Sequence, residues 1–118
     1  MTTDTHETEL LLSTVRAFME AEIFPHEEMV DRTANVPPDL GRQIEARAKE
    51  AGLYSANMPE RVGGGGLSMK AMSLIEREYG KTSHALHSWI GRPTELLLAC
   101  QGDQIDRYLM PAVRGEKR

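Results

Sequence analysis

Aromatic side chains are scarce in this 118-residue sequence: one tryptophan, three tyrosines and two phenylalanines, 5% in all. Strand-rich cores lean on aromatic and β-branched residues, so this scarcity favours helix over sheet. Seven methionines and many leucines and alanines supply the apolar volume instead. Cysteine is scarcer still. A single Cys100 excludes an internal disulfide framework and fits a reducing compartment. No basic run occurs before the last few residues, and the net charge of −4 argues against the basic face that nucleic-acid binding uses. No apolar stretch approaches the length that spans a bilayer. The opening MTTDTHETE lacks the positive and apolar regions of a secretory signal, so the simplest placement is the cytoplasm.

What remains is 40% hydrophobic and 27% charged, the balance of a soluble globular protein, at a length that suits one domain with a genuine core. The chain is organised around Ala51 to Lys81. Gly52 can take the left-handed conformation that closes a helix, Pro59 and Gly63 to Gly66 forbid regular helix, and Ser68 can cap the helix that follows. Four glycines invite a phosphate-binding reading, but Leu67 and Ser68 follow Gly66 where a P-loop needs Lys-Ser/Thr, and no strand precedes as a dinucleotide fingerprint requires. The plainer reading is that the glycines let the loop pass close to another backbone.

Helical spacing predicts a first helix from near Thr5 to about Phe24, with Leu11, Val15, Phe18 and Glu22 along its stripe. Pro25 predicts a kink or stop, followed by a short helical piece through about Arg32 and a turn over Asn35 to Pro38. Pro38 suits the first position of a second helix, striped by Leu40, Ile44, Ala48 and Ala51. Met69, Met72, Ile75, Glu76 and Tyr79 mark the inner side of a third, ended by Gly80. A fourth begins near Ser83 and carries Ala85, Leu86, Trp89 and Ile90 up to the Gly91-Arg92-Pro93 interruption. Helix is expected to resume over Thr94 to Cys100, with Leu96 to Leu98 buried from several sides. A last helix is expected over Gln104 to Val113, with Ile105, Tyr108, Leu109 and Val113 inward. The fold class is all-α, an orthogonal or up-down bundle of five to six helices with a long glycine-rich loop, forming one domain over 1–118.

No acid–base–nucleophile constellation emerges. His84 and His87 share a helix face at a spacing that can hold a metal, but no His-Glu-x-x-His pattern surrounds them, and a satisfied polar helix face is the plainer reading. Glu76 and Glu78 lie two apart, off a common face, and read as structural ion pairs. Cys100 reads as a small buried hydrophobe. Trp89 reads as core packing, or as the wall of a pocket shared with a partner domain.

The order of an AGL helix end, the Pro-Glu-Arg-x-Gly-Gly loop, Gly-Leu-Ser and a helix with Glu-Arg-Glu resembles the N-terminal helical domain of acyl-CoA dehydrogenases. The tail of Arg107-Tyr108-Leu109, Pro111 and Gly115-Glu116-Lys117-Arg118 resembles that family's exit from the domain. The resemblance covers about Leu10 to Arg118. It implies an oxidoreductase that dehydrogenates an acyl-CoA thioester at its alpha and beta carbons. FAD and the catalytic glutamate would lie in later domains, and the full-length protein would be a homo-oligomer. No catalytic, cofactor-binding or metal residue carries over to this segment, which is expected to be inactive alone. The acyl-pocket positions fall at Ala85, Leu86 and Trp89, and the indole at Trp89 implies a short, branched or ring-bearing acyl group. The alternative is a stand-alone helical interaction module that engages a protein through the apolar face around Leu96 to Cys100.

Overall fold

The computed structural model describes residues 2–116, with side-chain surroundings from residue 6 onward. Among these residues there is no strand, and six α-helical segments are linked by 3₁₀ and π turns. They are α1 (Thr2–Phe18), α2 (Glu27–Thr33), α3 (Pro38–Glu50), α4 (Met69–Tyr79), α5 (His84–His87) and α6 (Met110–Arg114). The all-α class expected from composition and periodicity is the observed one.

Pro25 does not stop the chain. After α1 the hydrogen-bond ladder widens to a π turn over Met19–Ile23, tightens to a 3₁₀ turn over Phe24–His26 and resumes as α2. The Phe24 N–H reaches back to the Met19 carbonyl and the Glu27 N–H to the Phe24 carbonyl, so changes in register absorb the donor that proline lacks. Met19 and Ile23 are both buried as a result.

The capping signals act where the sequence put them. Pro38 opens α3, and Gly52 follows its end at φ +76° while the Leu53 N–H returns to the Ala48 carbonyl at 2.9 Å. Ser68 Oγ accepts from the Ala71 N–H at 3.1 Å and starts α4, which Gly80 closes. Between these helices the loop contains only a 3₁₀ turn, Glu60–Val62, and the glycines then run back along residues 55–58. Gly65 and Leu67 donate to the Ser55 and Ala56 carbonyls, and Gly66 donates to the Met58 carbonyl at 2.8 Å. Close backbone approach is therefore what the glycines provide.

One core gathers Val15, Met19 and Ile23 with Ile44, Ala48, Ile75, Leu86 and Ile90, so α1 packs on α4, and α3 on the turn that follows α5. A smaller cluster joins Met58 and Val62 of the loop to Leu109 and Val113 near the C-terminal end. Ser55 pins the two together: its Oγ donates to the Val113 carbonyl at 2.7 Å and its N–H to the Gly91 carbonyl at 3.0 Å.

Several inward assignments fail, each where an apolar residue finds no second element over it. Met69 is 87% exposed and Leu96 is 82% exposed; Ile105, Tyr108 and Ala51 also face outward. Residues 95–99 form a 3₁₀ turn rather than α-helix, leaving Leu97 and Leu98 half-buried. The last helix is split into a π turn, Ile105–Leu109, and α6, with Leu109 and Val113 buried.

Glu78, not Glu76, is the buried carboxylate of α4, its side chain 6% exposed. It accepts from Lys81 Nζ at 3.0 Å and from Arg16 Nε of α1 at 2.9 Å. Both glutamates are in structural ion pairs, Glu76 with Arg92. Hydrogen bonds from Lys81 and then Arg16 outweigh burial and hold the Glu78 pKa below its ordinary 4.5. A carboxylate with a depressed native pKa stabilises the fold above the unfolded value, and the contribution is lost as pH falls through the native one. Glu78→Gln is expected to lose about 1–2 kcal/mol near neutrality, the range for a hydrogen-bonded charge discounted for half-exposed partners. It should also flatten the fall in Tm between about pH 5 and pH 3. Thermal melts across that range test this, and parallel wild-type and variant curves would refute it.

Candidate functional site

Gly80 ends α4, and the chain turns through Lys81–Ser83 into α5, which brings Tyr79 at the end of one helix against His87 of the next. A cavity of about 340 Å³ opens there, lined by Tyr79, His84, His87 and Ile90, with Glu76 and Arg92 at its polar side. A second cavity, of about 260 Å³, shares Ser88, Gly91 and Arg92 with the first and continues to Tyr54, Leu97 and Ala112. Gly91 keeps this region open at φ +94°, where a Cβ would come within 2.2 Å of the Tyr54 ring.

Arg92 divides the two cavities and is already taken. Its guanidinium pairs with Glu76 on one side and makes a forked contact with Glu95 on the other, at 2.8 and 3.0 Å. Glu95 in turn accepts from Asn57 Nδ2 at 3.2 Å. Burial works against the Arg92 charge, but the hydrogen bonds it donates to Glu95 and Glu76 outweigh it and raise its pKa.

Tyr79 and His87 are stacked, and His84 meets His87 edge-on. Burial, reinforced by the neighbouring His84, pushes the His87 pKa below its ordinary 6.5, so the ring is mostly neutral near pH 7. The histidine pair is thus part of a ring cluster with Tyr79. Among the described residues, no group of three or more His, Cys, Asp or Glu side chains could hold a metal ion.

Of the positions singled out as a pocket wall, Ala85 is exposed, Leu86 is fully buried and Trp89 is half-buried. None of the three lines either cavity. Leu86 belongs to the main core, and Trp89 lays its indole against Gly41 of α3, fixing the back of α5. His84, His87 and Ser88 line the cavity instead. The spacing of His84 and His87 was legible, but Tyr79 joins them only through the turn between the helices.

The flavin implied by the resemblance does not fit these residues. All four loop glycines spend their N–H groups on backbone carbonyls, those of Glu60, Pro59, Ser55 and Met58, leaving none for a diphosphate. Arg92, the guanidinium at both cavities, is neutralised by carboxylates.

Fold and site together define an all-helical domain that shapes cavities between its helices. The family model described as acyl-CoA dehydrogenase, N-terminal domain, matches residues 5–116, and the chain belongs to that family. It is 31% identical to a 3-(aryl)acrylate reductase from Clostridium sporogenes over 96% of this chain and 30% of that protein. It is 28% identical to a benzylmalonyl-CoA dehydrogenase from Aromatoleum aromaticum over 96% of this chain and 30% of the relative. A probable acyl-CoA dehydrogenase from Bacillus subtilis is 26% identical over 96% of this chain and 19% of its own length. The chain thus spans less than a third of these relatives. No solved structure gives a significant match. No described helix is long and apolar enough to cross a membrane.

Proposed function

We propose that this chain is the N-terminal α-domain of a cytoplasmic, FAD-dependent acyl-CoA dehydrogenase and helps enclose the acyl group of its thioester substrate. The remaining domains carry the flavin and the catalytic base, and the full-length protein assembles as a homo-oligomer. The 118-residue segment alone turns over nothing. The observation that carries this reading is the cavity between α4 and α5, supported by the chain's membership of the acyl-CoA dehydrogenase N-terminal family. Helix α5 is the wall. Leu86 and Trp89 anchor it from behind, and Ala85 stands on its exposed side. Among short, branched and ring-bearing acyl groups, the ring-bearing class is favoured by the aryl and benzyl groups in two relatives' names. The exposed Leu96, Ile105 and Tyr108 suit coverage by the remaining domains.

The test is reduction of an electron-accepting dye by the whole protein across a panel of acyl-CoA thioesters. The expected result is turnover with a defined chain-length profile, and Trp89→Ala shifts that profile toward longer chains by roughly tenfold in kcat/KM, about 1.4 kcal/mol. No thioester oxidised by the whole protein, or stoichiometric flavin on the isolated segment, would overturn the reading.

A further inference from the structure

Three ring systems converge on the cavity between α4 and α5. Tyr79 and His87 lie nearly parallel, 17° apart with centroids 6.4 Å apart, and His84 stands at 85° to His87 at 5.0 Å. Offset-parallel and edge-to-face packing are the arrangements that aromatic quadrupoles favour, so the cluster presents the kinds of surface against which a further planar ring packs. The platform is held in place: Tyr79 is 7% exposed within the core, and His87 is half-buried. Space is sufficient as well. A dry cavity of about 150 Å³ can hold benzene, and this one measures about 340 Å³.

Charge narrows the choice of ring. Glu76 and Glu95 both engage the one guanidinium of Arg92, so two negative charges face one positive and the group carries a net negative charge. A ring bearing its own carboxylate would meet repulsion there, because the guanidinium is already shared by two carboxylates. Ile90 completes an apolar side. An uncharged ring meets none of these costs.

We propose that Tyr79, His84 and His87 form the seat for an uncharged aryl ring at the distal end of the acyl group, making the substrate class arylalkanoyl-CoA thioesters. This rests on the acyl-CoA reading above and adds to it the part of the substrate that the cavity receives and the side chains that select it. Ring-on-ring contact gives the selectivity; the histidines contribute as planar rings and take no part in bond-making.

The test measures equilibrium binding of 3-phenylpropanoyl-CoA and hexanoyl-CoA to the whole protein, anaerobically and with any bound flavin reduced beforehand by dithionite, so that neither thioester is oxidised. Both probes carry the same thioester and CoA, so their ratio isolates the acyl tail. The phenyl compound is expected to bind about tenfold tighter, and His87→Leu to cut that ratio to about twofold, with folding checked by thermal melting. On the unmutated protein, the imidazole C–H proton signals of His84 and His87 should shift with the phenyl ligand and stay in place with the hexanoyl one. That readout needs no variant to fold. Equal affinities for the two probes, or histidine signals that ignore a bound phenyl ligand, would overturn the aryl seat while leaving the acyl-CoA reading standing. Failure of both thioesters to bind would remove the acyl-CoA reading and the seat together.

Discussion

Gly64→Ala is expected to destabilise this protein by about 3 kcal/mol, the upper range for a forced steric clash that its surroundings cannot relieve cheaply. A Cβ at this position would lie 2.2 Å from the Met58 carbonyl oxygen and 2.5 Å from its carbon. Both are backbone atoms, so no rotamer change gives relief. That same carbonyl accepts the Gly66 N–H at 2.8 Å, and the Gly64 N–H is committed to the Pro59 carbonyl at 3.0 Å. Moving either strand of the loop therefore breaks hydrogen bonds on both sides of it. Met58 is fully buried in the smaller cluster with Val62, Leu109 and Val113, so displacement would also disturb the contact with the C-terminal end.

Gly52→Ala serves as the control. Gly52 also has a positive φ, +76°, but nothing lies within 4 Å of its would-be Cβ. Only the left-handed backbone penalty applies, about 1–2 kcal/mol. Urea midpoints of the two variants should differ in that order. If Gly64→Ala were as stable as the wild type, the account of this loop as two closely apposed backbones would fail.

The comparison of these two glycines also shows which features the sequence can disclose. The helix boundaries at Pro38, Gly52, Ser68 and Gly80 were legible because each depends on a residue's own backbone preference or on a hydrogen bond three residues away. Burial of single apolar residues was legible only in part: Val15, Ile44, Ile75 and Leu109 are buried as their spacing predicts, whereas Met69 and Leu96 are not. Leu96 follows the same local rules as Leu86, yet one is 82% exposed and the other fully buried, because Leu86 belongs to the main core cluster and Leu96 to neither cluster. The site divides in the same way. Helix α5 and its two histidines could be placed from spacing, whereas the stack on Tyr79 and the capture of Arg92 by Glu76 and Glu95 depend on how two turns bring separate elements together. Ser55 gave no signal: a serine at φ +57° whose hydroxyl ties the two clusters looks like any loop serine in a sequence.

Gly41→Ala decides whether Trp89 is wedged or merely resting. In an exposed helix interior this change would stabilise by about 1 kcal/mol, because glycine is the poorer helix former. Here a Cβ would lie 2.3 Å from Trp89 Cε2 and 2.5 Å from Cδ2, against the ring fusion rather than a flexible tip. The indole would have to lift off α3 as a whole. Losing on the order of 100 Å² of buried apolar contact costs roughly 2.5 kcal/mol, so the net expectation is a loss of about 1.5–2 kcal/mol once the propensity gain is subtracted.

Trp89→Leu in the Gly41→Ala background should recover at least ~1 kcal/mol of that loss, a coupling that independent sites do not show. Denaturant melts of the two single variants and the double variant measure it. A stabilised Gly41→Ala protein would show that the indole yields freely and does not fix α5. The functional consequence follows from the same contact. Gly41 lines neither cavity, so a change in acyl preference on Gly41→Ala would act through the position of the α5 wall rather than its composition. Trp89→Ala removes the anchor and leaves a void, so a shift of the profile in the same direction in both variants would identify Trp89 as a positioning residue for that wall. A shift with Trp89→Ala alone would mean that the indole itself meets the acyl chain.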